Sequence, residues 1–481
     1  MAPIACDILI KNACVLSMDA KRTIYRPGAV AITGRNILMA GPERDILPAV
    51  APIRVIDAGG AVVHPGFVEA HYHTTMHLTR ASITDDPKRP AVGKSGADGR
   101  AAKPIYAEWV DAMTDEDEHA SALLACLEMA RNGYTCFMDP GTVLEPDTAA
   151  TAAEAVGIRG SLADPYLSDS LGGTQLAALD RAPPSLERSL KLMGNELRRN
   201  KDPNALIGGH VAVYGSGSAS DTLMLAAKKC ADDNSVIYTQ HQSFLPQAVE
   251  TEDKRLGKHA LVHFEEIGVL GPNVSFVHMN ILRDDEVNAI VRSGMSVIWH
   301  PGNFFFYGIG ESARQRMLEL RARGTNLGLG SDLCKLWTFG ELPYIAYLAS
   351  RTQGGYISPG SLLEIATLGG ARAMGWQDRI GSLEPGKRAD LVIRRNDLPE
   401  ACPGTDPVFE TVLVARSKSV DTVICDGQII VKGGHSTRLD ERVIYLSACA
   451  SARRLMAKTG LKGDLDWPIV AGDMDWEFIG G

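Results

Sequence analysis

The stretch HPGFVEAHYH, residues 64–73, places His71 and His73 two positions apart, directly after an apolar run that reads as a buried strand. Side chains at i and i+2 of a strand share a face, so both imidazoles project together. A buried imidazole costs free energy unless something satisfies it, and a lone pair of this kind is weak evidence for a metal. The rest of the chain supplies partners. His241 ends the apolar run SVIYTQ, His278 ends NVSFV, His300 ends GMSVIW, and Asp332 follows NLGLGS. Only 12 histidines occur in 481 residues, so five of them at strand ends, in chain order, are hard to assign to packing. Three imidazoles and a carboxylate around an open position suit Zn²⁺, with Fe²⁺ or Co²⁺ as alternatives. One such ion lowers the pKa of a bound water to roughly 7 and makes hydroxide available near neutral pH.

Residues of this kind need a scaffold that brings many strand ends to one place. From about 64 to 380, apolar strands alternate with helical segments: TDEDEHASALLACLEMARNG is followed by YTCFMDPG, PDTAATAAEAVG and IRGSLADP. That alternation implies parallel strands joined by crossover helices, and over some 300 residues it predicts an α/β fold, a (β/α)8 TIM barrel. Active sites of such barrels lie at the carboxyl ends of the strands, where these candidates fall. Residues 1–63 hold short β-type runs separated by Gly, Pro and Asn, and β-type runs return at ADLVIRR, TVLVAR and VDTVICDGQIIVKGG. The expected organisation is therefore a small β-sandwich in two parts, 1–63 and 386–435, a metal-dependent barrel over 64–385, and a carboxyl-terminal helix and tail over 436–481. The Gly, Pro and charge-rich segment 79–104 reads as a lid, binding loop or subunit contact, or else as a disordered stretch.

Composition narrows the partners. The formal charge of −9, from 58 acidic and 49 basic residues, argues against nucleic acid or an anionic membrane and for a small-molecule substrate. The nine cysteines are scattered and never spaced as C-x-x-C, which suits free thiols in a reducing cytosol. Asp7 and Lys11 interrupt any apolar leader, and no stretch reaches the length of a membrane span. A cytoplasmic homo-oligomer is the expectation.

With HPGFVEAHYH, GLGSD and IGSLEPGKRADLVI in these positions, the chain resembles the amidohydrolase superfamily from the amino-terminal sheet to about residue 435. Carried over position by position, the resemblance implies that His71, His73, His241 and Asp332 hold the metal. It also implies that His278 polarises the attacking water or substrate oxygen, and that Asp332 is general base and then acid. Two-metal members bridge their ions with a carbamylated lysine on the fourth strand, but ALIGGHVAVYGSGS has no lysine, so a single ion follows.

One departure bears on the substrate. In ring-deaminating relatives a glutamate three residues after the fifth-strand histidine protonates the ring nitrogen, and here that place holds Phe244. The first expectation is therefore hydrolysis of a non-peptide C–N bond in an amide, urea or carbamate with an aromatic or lipophilic group; within the superfamily the chain resembles the mononuclear, triazine hydrolase and cytosine deaminase-like branch, nearest to the phenylurea and thiocarbamate herbicide hydrolases. The alternatives are an aminohydrolase or dechlorinating hydrolase on a nitrogen heterocycle, and an inactive scaffold. Expected substrate contacts are His300, Asn303 and Tyr307 in HPGNFFFYG, together with Phe244, His210 and Trp337. Tyr214 and Trp109 are further candidates, whereas Asp139 reads as support for the ligands or as a helix cap.

Overall fold

The computed structural model describes residues 2–80, 105–172, 177–310, 316–460 and Trp467, with the side chains of residues 105 and 106 left aside. The segment 81–104, most of the expected lid, lies outside the described residues, as does the tail beyond 460 apart from Trp467.

Parallel strands form two sheets, one of Phe67–Glu69, Tyr134–Met138, Arg159–Leu162 and Ile207–Gly209, the other of Val211–Gly215, Tyr238–Gln242, Val274–His278, Ser296–Trp299 and Leu327–Leu329. The sheets join at His210. Its N–H donates to the carbonyl of Leu162 at 3.0 Å, while Val211 N–H donates to Ile237 at 3.0 Å, so the fourth strand passes from one sheet to the other. On the far side Ala70 N–H donates to Leu329 at 2.9 Å and Asp332 N–H to His71 at 3.0 Å. The first and eighth strands are thereby stitched together, and the barrel is closed.

Every residue of these strands is buried, as expected of parallel strands covered by helices outside and packed side chains within. Helix Asp115–Arg131 starts at a capping box in which the Thr114 side chain accepts from Asp117 N–H and the Asp117 carboxylate accepts from Thr114 N–H. Helix Pro146–Val156 ends on Gly157 at φ +87°, a left-handed cap that glycine adopts without penalty.

A separate nine-stranded sheet is built from both ends of the chain, with Val62–Pro65 paired antiparallel to Leu391–Arg394. One residue later the chain enters the barrel. Gly66 permits this, since a Cβ there would lie 2.0 Å from Thr135 Oγ1. The carboxyl-terminal helix Glu441–Thr459, capped by the Asp440 side chain, returns to the barrel through ion pairs of Arg131 with Glu441 at 2.9 Å and of Arg454 with Asp117. Among the described residues no helix is long and apolar enough to cross a membrane.

Candidate metal centre

His71, His73, His241 and Asp332, drawn from across the barrel, bring their ligand-type atoms within 4.8 Å of one another, all of them buried. His73 Nε2 lies 3.3 Å from His71 Nε2, 3.3 Å from His241 Nε2 and 2.9 Å from Asp332 Oδ1. A tetrahedral ion with Zn–N bonds of 2.0–2.1 Å requires edges of about 3.3 Å, so the spacing fits such an ion. The tautomers fit as well. His241 Nδ1–H donates to the Tyr214 carbonyl at 2.6 Å, which leaves Nε2 as a lone pair. Burial holds His71 down to about 4 and His241 well below the usual histidine range, so both imidazoles are neutral and available as ligands.

Supporting contacts fix these side chains. His73 Nδ1 is 3.0 Å from Thr142 Oγ1, and Asp139 accepts from Thr142 Oγ1, Thr142 N–H, Thr74 N–H and Thr74 Oγ1. Asp139 thus braces the loop after His73. Glu69, which the sequence reading passed over, accepts from Ser331 N–H and Oγ at 2.7 Å each and from His71 N–H at 3.3 Å. It ties the first strand to the loop carrying Asp332, and burial pushes its carboxyl up to about 8. An acidic residue two positions before H-x-H, in phase with His71 and His73, was the only sequence signal for it.

His278 ends the sixth strand at φ +72°, a left-handed conformation costly for a non-glycine residue. Its ring stacks on Phe244 at 4.1 Å and 25°, and its Nδ1 lies 3.0 Å from His300 Nδ1. Burial lowers His278 to about 3. Phe244 meets Tyr307 edge-on at 5.1 Å. Together with Met76, Tyr214, Ser216 and Leu333 these rings enclose a cavity of about 30 Å³ over His73, His241 and Asp332, room for about one water molecule. Asp332 is the only carboxylate lining it among the described residues.

The outer oxygen of Asp332, Oδ2, accepts from Asn303 Nδ2 at 2.8 Å and from Lys335 Nζ at 3.0 Å. Burial raises an isolated carboxyl, but Lys335, His71 and His73 hold Asp332 well below the usual carboxylate range. Lys335 was not foreseen, because a lysine three residues past an aspartate carries no motif. His278, His300 and Asp332 also come within 4.8 Å of one another. There Asp332 Oδ2 is taken up by Asn303 and Lys335, and the Nδ1 atoms of His278 and His300 face each other at 3.0 Å.

Several expected substrate contacts sit elsewhere. His210 lies in the middle of the fourth strand, hydrogen-bonded to Ser161 Oγ at 2.9 Å and facing the amino end of the barrel. His300 is fully buried beside His278, and Asn303 is equally buried and committed to Asp332 and Lys335. Trp337 packs on Gly302, where a Cβ would lie 2.3 Å from its ring. Trp109 is buried against Ala448 and Leu455 of the last helix and does not cap the site. Phe244, Tyr307 and Tyr214 do line the cavity.

A model of the amidohydrolase family matches residues 62–430. The chain belongs to the amidohydrolase family. This amidohydrolase is 29% identical over 455 residues to a 5-methylthioadenosine/S-adenosylhomocysteine deaminase of Syntrophobacter fumaroxidans (strain DSM 10017 / MPOB), with 92% of this chain and 98% of that one covered. It is 29% identical over 469 residues to a 5'-deoxyadenosine deaminase of Methanosarcina mazei, covering 94% and 99%. Its fold is shared with a crystal structure of an adenosine deaminase from Xanthomonas campestris with bound zinc, at a TM-score of 0.81, 24% identity and coverage of 95% and 100%. These relatives correct the expected kinship with phenylurea and thiocarbamate hydrolases. The amidohydrolase is a metal-dependent enzyme acting on C–N bonds other than peptide bonds.

Proposed function

We propose that this amidohydrolase is a hydrolytic deaminase, displacing an amine from an sp² carbon of a nitrogen heterocycle with one divalent cation, zinc in first place, held by His71, His73, His241 and Asp332. The observation that carries the metal-dependent part is the meeting of three imidazoles and Asp332 Oδ1 at spacings of 2.9–3.3 Å around His73 Nε2, which suit a tetrahedral ion. The heterocycle is supported by similarity to nucleoside deaminases over more than nine-tenths of the chain. A bound cation of this kind supplies hydroxide near neutral pH. His278, neutral and buried, is the hydrogen-bonding group for the attacking water or the substrate atom it polarises. Asp332 takes the proton from the attacking water and, as the only carboxyl on the cavity among the described residues, delivers it to the departing amine.

A second reading, hydrolysis of an amide, urea or carbamate, is favoured by Phe244. That aromatic ring stacks on His278 where ring deaminases have a glutamate, and a carbonyl carbon can be attacked without a ring-nitrogen donor. One screen separates the two: ammonia release from adenosine-type nucleosides and other amino-heterocycles, against amine release from anilides, phenylureas and carbamates. Ammonia from the first panel alone supports deamination, whereas amine from the second alone replaces it with acyl hydrolysis. Phe244→Glu sharpens the result, with a deaminase expected to gain turnover and an acyl hydrolase to lose it.

A further inference from the structure

The two oxygens of Asp332 have different surroundings. Oδ1 faces His73 Nε2 at 2.9 Å and His71 Nε2 at 3.7 Å. Oδ2 points away from them and accepts from both Asn303 Nδ2 and Lys335 Nζ. Lys335 Nζ also donates to Asn303 Oδ1 at 2.9 Å, which closes a ring of three polar contacts between the short helix Pro301–Phe306 after the seventh strand and the loop after the eighth. The Lys335 side chain is only 4% exposed, and Phe306 and Tyr307 stand with ring centroids 5.0 Å from Nζ. An ammonium in such surroundings is costly unless its partners are fixed, and here all of its polar contacts are to Asp332 and to the residue that shares Asp332 with it.

Asp332 needs such a hold. It lies at φ +58°, three residues beyond the strand that ends at Leu329, where backbone pairing with the segment after the first strand fixes its Cα but not its carboxylate. A carboxylate free to turn offers one oxygen or two to a cation and takes up the open position when it offers two. With Oδ2 engaged, only Oδ1 faces the imidazoles.

We propose that Lys335 and Asn303 are positioning residues that clamp the outer oxygen of Asp332, so that the metal receives a single carboxylate oxygen and keeps a coordination position open. This rests on the single-cation site proposed above. The test uses full-length wild type, Lys335→Met, Lys335→Arg and Asn303→Ala. Zinc affinity is measured by competition with a chromophoric chelator, the visible spectrum is recorded on the Co²⁺-loaded proteins, and melting temperature on the metal-free ones. Partners of metal ligands typically account for about 10–100-fold in metal affinity, and a loss of that size is expected in Lys335→Met. A smaller loss is expected in Asn303→Ala and partial recovery in Lys335→Arg, with a Co²⁺ band altered in Lys335→Met. Zinc binding by Lys335→Met within about threefold of wild type, well short of that range, with a superimposable Co²⁺ spectrum, would overturn the proposal. Should Lys335→Met fail to fold, the same null result in Asn303→Ala overturns it. A wild type that binds no zinc removes the metal site and the clamp together; equal binding by wild type and variants removes the clamp alone.

Discussion

Two buried charge clusters sit at different places in this amidohydrolase, and they are built differently. Where the barrel meets the nine-stranded sheet, Arg159 donates from Nε to Asp390 at 2.9 Å and from Nη2 to Asp426 at 2.7 Å, while Asp426 N–H donates to Asp390 Oδ1 at 2.7 Å. Planar guanidinium against carboxylate is the geometry that repays desolvation best. At the carboxyl end of the barrel, imidazole nitrogens face one another at 3.3 Å, His71 Nδ1 is left without a partner, and His278, Met279 and Asp332 all hold positive φ. The first cluster sets one guanidinium against two carboxylates, with Nη1 left unpartnered and Asp426 at φ +51°, whereas the second gathers several imidazoles around one carboxylate. Opposite charges paired within the chain belong to the fold, and imidazoles converging on a carboxylate belong to chemistry.

The comparison predicts opposite failures. Asp332→Asn is expected to lower turnover by about 10²–10⁴-fold or more through loss of proton transfer, with the far-UV spectrum retained and the melting temperature lowered, because the buried Lys335 ammonium loses its counter-charge. Turnover near that of wild type would break the assignment. Arg159→Met leaves two buried aspartates facing each other and should cost about 3–5 kcal/mol in urea unfolding, with turnover per folded molecule retained. Removing metal with a chelator should abolish activity and lower stability, and zinc at a hundred times its dissociation constant should restore about 2.7 kcal/mol. The Arg159 cluster should gain nothing from zinc.

A pH dependence is expected outside both clusters, with no effect on turnover per folded molecule. Glu118 is buried beneath Leu144 and Glu145, whose N–H groups it accepts, and burial raises its carboxyl from 4.5 to about 7. The folded state therefore holds a proton that the unfolded state releases above 4.5. The contribution of Glu118 to stability is full below pH 4.5 and is lost as pH rises toward 7, by at most about 3 kcal/mol. Urea unfolding at several pH values should show this slope in wild type and a flatter one in Glu118→Gln.

How much of this could be read from the chain follows the same division. The alternating strands and helices and the histidines closing successive strands were legible, because parallel strands and H-x-H spacing are local patterns of period two and of apolar runs. His210 was misplaced because a strand interrupted by a glycine pair has no sharp end in sequence. A residue after a strand, such as His300 or Asn303, can turn toward the cavity or away from it, and only packing decides which.

By itself, the sequence determined that imidazoles and a carboxylate would gather at one end of a barrel, since strand order and side-chain alternation leave little freedom there. Only the tertiary structure decided that Lys335 lies against Asp332, that Glu69 joins the first strand to the eighth, and that Phe244 covers His278. Those contacts join residues separated by up to 262 positions or set by left-handed turns, and no local pattern encodes a meeting that exists only once the barrel has closed.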